Sequence, residues 1–220
     1  MIQPRLARRL RLGLAAGAAA LVLGGTAAAQ APGKSPAGDG QSLFDGATLG
    51  SWQPTKFARG GGVSIQDGQI VLEVGGALSG ITWAGPALPT AGYELTLDAM
   101  RIDGSDFFAG ITFPVGDEFC SLILGGWGGQ TVGLSSLNGR DASENDTSQS
   151  IEFTSGRWYA VRLRVTTAKI EAWLDGRQII TQPLAGVSLS TRIEVEPSKP
   201  LGIASYRTKA ALKNLRLKRI

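Results

Sequence analysis

Histidine is absent from all 220 residues, and cysteine occurs once, at Cys120. The first absence excludes a Ser-His-Asp triad, a Cys-His dyad, histidine-ligated zinc and histidine acid-base work together. Any catalysis therefore falls to carboxylates, Tyr, Lys, Arg or an oxygen-ligated metal. The lone cysteine excludes an intrachain disulfide, so stability must come from a core. Lying between Phe119 and Leu122 in an apolar run, Cys120 reads as a small buried side chain. Aromatic residues make up only 7% and charged residues 18%, against 31 glycines. That balance suits many short strands joined by tight turns rather than long helices.

The formal charge of +4 suggests an acidic partner until its origin is traced. Arg5, Arg8, Arg9 and Arg11 supply it, ahead of an apolar stretch at 12–25 and the small-residue run Ala27-Ala28-Ala29. These are the n-region, h-region and cleavage pattern of a secretory signal peptide over 1–29, with Arg8-Arg9 also compatible with twin-arginine export. Without those four arginines the chain carries 18 basic and 18 acidic residues. The nucleic-acid reading loses its support. The apolar stretch is too short to span a bilayer, so no membrane insertion is expected, and no cysteine beside the cleavage site offers a lipid anchor. An exported protein, periplasmic or extracellular, follows. Residues 30–40, rich in Pro, Gly and Ser, read as a flexible linker, and 41–220 as one domain.

Within that domain, turn signals separate short alternating runs. Residues 63–66 and 69–74 flank Asp67-Gly68, the dipeptide of a type I′ hairpin turn. Tyr93, Leu95, Leu97 and Ala99 alternate with polar neighbours as a strand with one buried face. Further strands are expected at 107–113, 119–124, 131–135, 151–154, 158–166, 169–174, 177–181, 201–206 and 212–217. An all-β sandwich of two antiparallel sheets is the natural architecture. In the 158–174 hairpin one face is core. The other carries Trp158, Trp173, Arg162, Arg164 and Glu171, either a surface that stacks and hydrogen-bonds a sugar or a salt-bridged solvent face. Seven basic residues follow Glu196, and they read as protection on a terminal edge strand.

Three segments resemble a known family. Leu43-Phe44-Asp45-Gly46 with Leu49-Gly50-Ser51-Trp52, the Trp158 to Trp173-Leu174-Asp175-Gly176 hairpin, and the closing 201–206 and 213–217 strands are similar to the bacterial 3-keto-disaccharide hydrolase domain family. The hairpin is shared with laminin-G-like sandwiches. The resemblance implies a concanavalin A-like jelly roll with a concave, carbohydrate-binding face. It also implies a carbohydrate or oxidised glycoside as partner. Where other members carry an Asn-Ser-Gly element, this chain has Phe107-Phe108-Ala109-Gly110.

Four glycines bracket Trp127 in Gly125-Gly126-Trp127-Gly128-Gly129, which lets backbone approach a ligand while the indole serves as a platform; a wide loop with one pinned tryptophan is the plainer alternative. The loop at 138–147 gathers Asp141, Glu144, Asn145 and Asp146, enough oxygen for a calcium ion although the spacing departs from the EF-hand. No cofactor is firmly implied, and a solvated polar loop is the simpler reading. Asp106 precedes two phenylalanines, and Arg192, Glu194 and Glu196 alternate as on one strand face. A carboxylate beside apolar surface can serve as a general acid, and glycoside cleavage uses two. The candidate set is therefore Asp106, Glu144 and Glu194 for chemistry, with Trp127, Asn145 and Arg192 for substrate. Salt bridges to Arg101 or Arg192 are the structural alternative for the carboxylates. Two carboxylates converging beside Trp127 favour a hydrolase; aromatics and arginines on an open face favour a carbohydrate-binding or adhesion module.

Overall fold

The computed structural model describes residues 40–220. The expected signal peptide and nearly all of the 30–40 linker lie outside the described residues. The strands, in chain order, are β1 (Gln41–Ser42), β2 (Trp52–Pro54), β3 (Val63–Gln66), β4 (Gln69–Leu72) and β5 (Leu78–Trp83). There follow β6 (Tyr93–Gly104), β7 (Ala109–Val115), β8 (Glu118–Gly126), β9 (Thr131–Ser135) and β10 (Gln149–Ser150). The chain ends with β11 (Trp158–Val165), β12 (Lys169–Leu174), β13 (Arg177–Pro183), a 3-10 helix (Ile193–Ser198), β14 (Gly202–Tyr206) and β15 (Thr208–Arg219).

Two antiparallel sheets form a jelly-roll sandwich. The first has the order β13-β12-β11-β6-β15-β4-β3 with β1 added beside β15; the second is β10-β9-β8-β7-β14-β5-β2. The alternation in β6 places Tyr93, Leu95, Leu97 and Ala99 at or below 1% exposure, against Ile111, Phe113, Leu122 and Leu134 of the second sheet. Each buried side chain of this size contributes about 1.5 to 3 kcal/mol, and together they replace the missing disulfide.

Turn chemistry closes the hairpins. Asp67 and Gly68 both have positive φ, 49° and 75°, as the I′ turn requires. The recognisable opening segment is structural: Asp45 Oδ1 accepts the Ala47 and Thr48 N–H groups, and the Trp52 indole donates to the Leu43 carbonyl at 2.9 Å. Trp52 then packs edge-on against Trp83, centroids 5.3 Å apart.

Three local expectations are corrected. Residues 151–154 form no strand; pairing stops at β10, just before them, and Phe153 instead turns its ring against Phe108 and Tyr159. The Arg192 to Glu196 segment is not a strand face, because residues 193–198 wind into a 3-10 helix with Pro197 inside it. The basic final strand is not an edge. β15 lies between β6 and β4, and Lys213, Arg216 and Lys218 occupy outward positions of an interior strand, opposite Asp98, Thr96 and Glu94. Strand β5 escapes the sequence pattern because Leu78, Ser79 and Gly80 are all buried, so no alternation marks it.

Candidate active site

Apart from Ile123, successive outward positions in the middle of the second sheet are occupied by small side chains. Thr112, Ser121 and Ser135 face one another across β7, β8 and β9, and Thr112 shares a hydrogen bond with Ser121 at 2.9 Å. The neighbouring row reads Gly80, Ala204, Gly110, Ile123, Gly133. Loops rest directly on this bare backbone: a Cβ on Gly133 would lie 2.8 Å from the Ala142 carbonyl oxygen, and one on Gly202 2.5 Å from that of Ser198. Between the loops remains a cavity of about 310 Å³. Ser121, Ile123 and Ser135 line it together with Trp127, Phe107, Tyr206, Asp106, Arg192, Glu194 and Val195.

Trp127 is 44% exposed, whereas Trp52 and Trp83 are buried. Its backbone is left-handed, φ 47°, which costs an L-residue about 1 kcal/mol and marks a constrained loop. Asp106 stands beside it. One carboxylate oxygen accepts the Phe107 N–H at 2.7 Å, and the other faces the Gly128 N–H at 3.4 Å. Phe107 stacks on Tyr206 with centroids 5.8 Å apart, so this wall presents apolar faces with polar edges.

On another wall, the Arg192 guanidinium is shared by two carboxylates, Asp141 at 2.8 Å and Glu194 at 3.1 Å. The hydrogen bond from Arg192, followed by backbone bonding and the nearby charge, holds Glu194 below the usual glutamate range. Its bond to Glu194 and both carboxylate charges raise Arg192. Glu194 is therefore an ionised group at neutral pH and lacks the raised pKa of a general acid.

The structure brings Asp106, Trp127, Arg192 and Glu194 to one cavity and leaves Glu144 and Asn145 outside its lining. Glu144 is exposed. Asn145 is spent on its own loop: Nδ2 donates to the Leu134 and Asp141 carbonyls, both at 2.7 Å, and Oδ1 accepts the Thr147 N–H and hydroxyl. Among the described residues no group of three or more Cys, Asp or Glu side chains is arranged to hold a metal ion. In the loop that suggested calcium, Asp141 and Asn145 direct their side-chain oxygens to backbone and to Arg192.

The mixed aromatic surface of the 158–174 hairpin lies on the first sheet and is occupied by its own cations. Arg162 covers Trp173 at 3.7 Å, Lys213 covers Trp158 at 4.0 Å, and Arg164 pairs with Glu94 at 2.9 Å. Cys120 is buried and its thiol is pushed up to about 12, chiefly by burial, so it is no nucleophile.

Sequence reasoning missed Asp141 as the second anchor of Arg192, and it offered Arg101 only as a salt-bridge partner for a carboxylate, missing its place in the core. That place had a visible signal. Arg101 continues the inward series Tyr93, Leu95, Leu97, Ala99 and so falls at a core position, where it is 6% exposed.

A jelly-roll sandwich whose outer face holds a hydroxyl-floored pocket, an accessible indole and fixed charges belongs with the carbohydrate-active sandwiches. Residues 39–218 match the 3-keto-alpha-glucoside-1,2-lyase-like domain, and the chain belongs to that family. No curated protein matches it by sequence. Solved structures share its fold at low identity. The carbohydrate-binding module CBM66 from Bacillus subtilis aligns at 12% identity and TM-score 0.53, covering 76% of this chain and 95% of that one. A B. subtilis protein of unknown function with a galectin-like fold gives 11%, 0.55, 77% and 90%. Domain 4 of AbnA, a GH43 extracellular arabinanase from Geobacillus stearothermophilus, in complex with arabinotriose, gives 13%, 0.50, 76% and 82%.

Proposed function

We propose that this is an exported protein that binds a glycoside oxidised at C3 in the pocket beside Trp127 and cleaves it. The observation that carries the reading is the shared lining: an exposed indole, the ionised Glu194 and the doubly held Arg192 open onto one small cavity with a hydroxyl floor. The family description names 1,2-lyase chemistry, and the charge state of this pocket suits it better than acid-assisted hydrolysis.

A ketone at C3 acidifies the hydrogen on C2. Glu194 takes that proton as a base, the electron pair passes into an enolate whose developing charge faces Arg192, and the C1 to leaving-oxygen bond then breaks as the C1=C2 bond forms. The departing oxygen takes a proton from water or from the protonated Glu194. Subsequent addition of water across the new double bond makes the overall change a hydrolysis. Trp127 stacks on the ring, and Ser121 and Ser135 meet its hydroxyls.

The second reading, a carbohydrate-binding module without turnover, is favoured by one observation. Both carboxylates at the pocket are already engaged, Asp106 by backbone N–H groups and Glu194 by Arg192. CBM66 is described as a carbohydrate-binding module, and the AbnA domain is described in complex with arabinotriose. The deciding experiment incubates the purified protein with 3-keto and unmodified glycosides in deuterium oxide. Release of a C1=C2 unsaturated 3-keto product, or of its hydrated form carrying deuterium at C2, lost in Glu194→Gln, supports the lyase reading. Saturable binding in calorimetry without product supports the module.

A further inference from the structure

Arg101 projects from β6 into the interior, 6% exposed, and forms no salt bridge among the described residues. A buried charge of this kind needs compensation, and its partners show where that comes from. Nη2 donates to the Gly129 carbonyl at 2.9 Å and reaches the Gly125 carbonyl at 3.4 Å, the two ends of the five-residue loop that carries Trp127. The guanidinium lies 5.4 Å from the Phe108 ring centroid and 5.9 Å from that of Phe153, while Nε has no hydrogen-bond partner. The loop closes over it so tightly that a Cβ on Gly125 would sit 2.5 Å from Nη2. Gly125, Trp127, Gly128 and Gly129 all have positive φ, so the loop needs external support to hold one shape. Asp106 touches the same loop from the cavity side, at the Gly128 N–H.

We infer that Arg101 is the positioning residue of the sugar platform: its Nη2 ties the two ends of the Gly125–Gly129 loop together and so fixes the Trp127 indole at the mouth of the cavity. Burial lowers its pKa from the ordinary guanidinium value against the opposing charge of nearby Asp106, while its hydrogen bonds go to carbonyls. Arginine suits this position because the two N–H donors of its Nη2 are fixed in the guanidinium plane, whereas the donors of a lysine ammonium rotate freely. The inference rests on the reading of Trp127 as the ligand platform, and its test separates the two.

The first measurement needs no ligand. Trp52 and Trp83 are buried and Trp158 and Trp173 lie under cations, so acrylamide quenching of native protein minus Trp127→Phe isolates the Trp127 component. In Arg101→Met that component is expected to quench at least twofold more strongly and to lose anisotropy, with cooperative unfolding retained. Arg101→Lys should fall between the two, and it takes over the comparison if the Met variant fails to fold. An unchanged Trp127 signal in a folded Arg101 variant overturns the inference.

The second measurement is a double-mutant cycle on glycoside binding. Arg101→Met and Trp127→Ala should each raise Kd about tenfold, and the double variant should add almost nothing, because the first acts through the second. Fully additive losses overturn the inference, since they mean that Arg101 acts on the fold at large. A Kd unchanged by Trp127→Ala alone overturns the platform reading, and the quenching comparison still decides the clamp.

Discussion

On the outer face of the first sheet, Glu94, Arg162, Arg164 and Trp173 interlock, and Lys213 closes over Trp158. On the outer face of the second, the same positions of the pleat hold Gly80, Gly110, Gly133, Ala204, Ser121 and Ser135. The face richest in aromatics and arginines is thus not the one that carries the cavity, and each ring there is already covered by a cation of its own chain. The cavity opens where side chains are missing and loops from elsewhere supply the walls. Function in this sandwich follows absence of bulk, and a lone uncovered indole says more than two covered ones.

The strongest way to break that comparison is to fill the bare face. Gly202→Val, whose first added carbon meets the Ser198 carbonyl at 2.5 Å, should cost about 3 kcal/mol in a denaturant titration and displace the 3-10 helix with Glu194. A cost below a few tenths of a kcal/mol would mean the loop does not rest on the sheet. Glu194→Gln should lower kcat for a 3-keto glycoside about a hundredfold with binding kept within a few fold, measured by product release beside calorimetry. Equal turnover would remove Glu194 from the chemistry.

The two exposed-face tryptophans sharpen the contrast. Trp127→Ala should weaken glycoside binding about tenfold and leave the Tm nearly unchanged, while Trp173→Ala should leave binding intact and cost about 1 kcal/mol through its lost contact with Arg162. Reversed outcomes would move the sugar to the first sheet.

The smallest effect is in pH. Glu194 and Glu196 are both held below 4.5, the ordinary glutamate value, by the cations Arg192 and Lys199 that bond them. Groups lowered in the folded state stabilise it above their unfolded pKa, and that contribution is lost as pH falls through their folded values. The Tm and the turnover should therefore hold from neutrality to about pH 4.5 and decline below it. A decline already centred near pH 6 would point to a different ionisation.

Much of the frame was legible. Asp67-Gly68, the Tyr93 alternation and the Trp158 to Gly176 hairpin each state their conformation within a few residues. Arg192 to Glu196 misled for the same local reason: alternation over five residues cannot distinguish a strand from a 3-10 turn packed under long-range constraint, and Ser198 seats that turn on Gly202. The final basic strand looked like an edge because charge pattern records solvent on one face and carries no information about neighbours on either side.

By itself the sequence determined an all-β sandwich without disulfide or histidine chemistry, together with its family resemblance, because turn dipeptides, period-two alternation and composition act locally. It also offered six site residues drawn from four separate segments. Only the tertiary structure decided that Asp106, Trp127, Arg192 and Glu194 share one cavity, that Asn145 serves its own loop, and that a core-register arginine holds the tryptophan loop. Loops converge according to which strands cross between the sheets, and that order is fixed by the packing of the whole core.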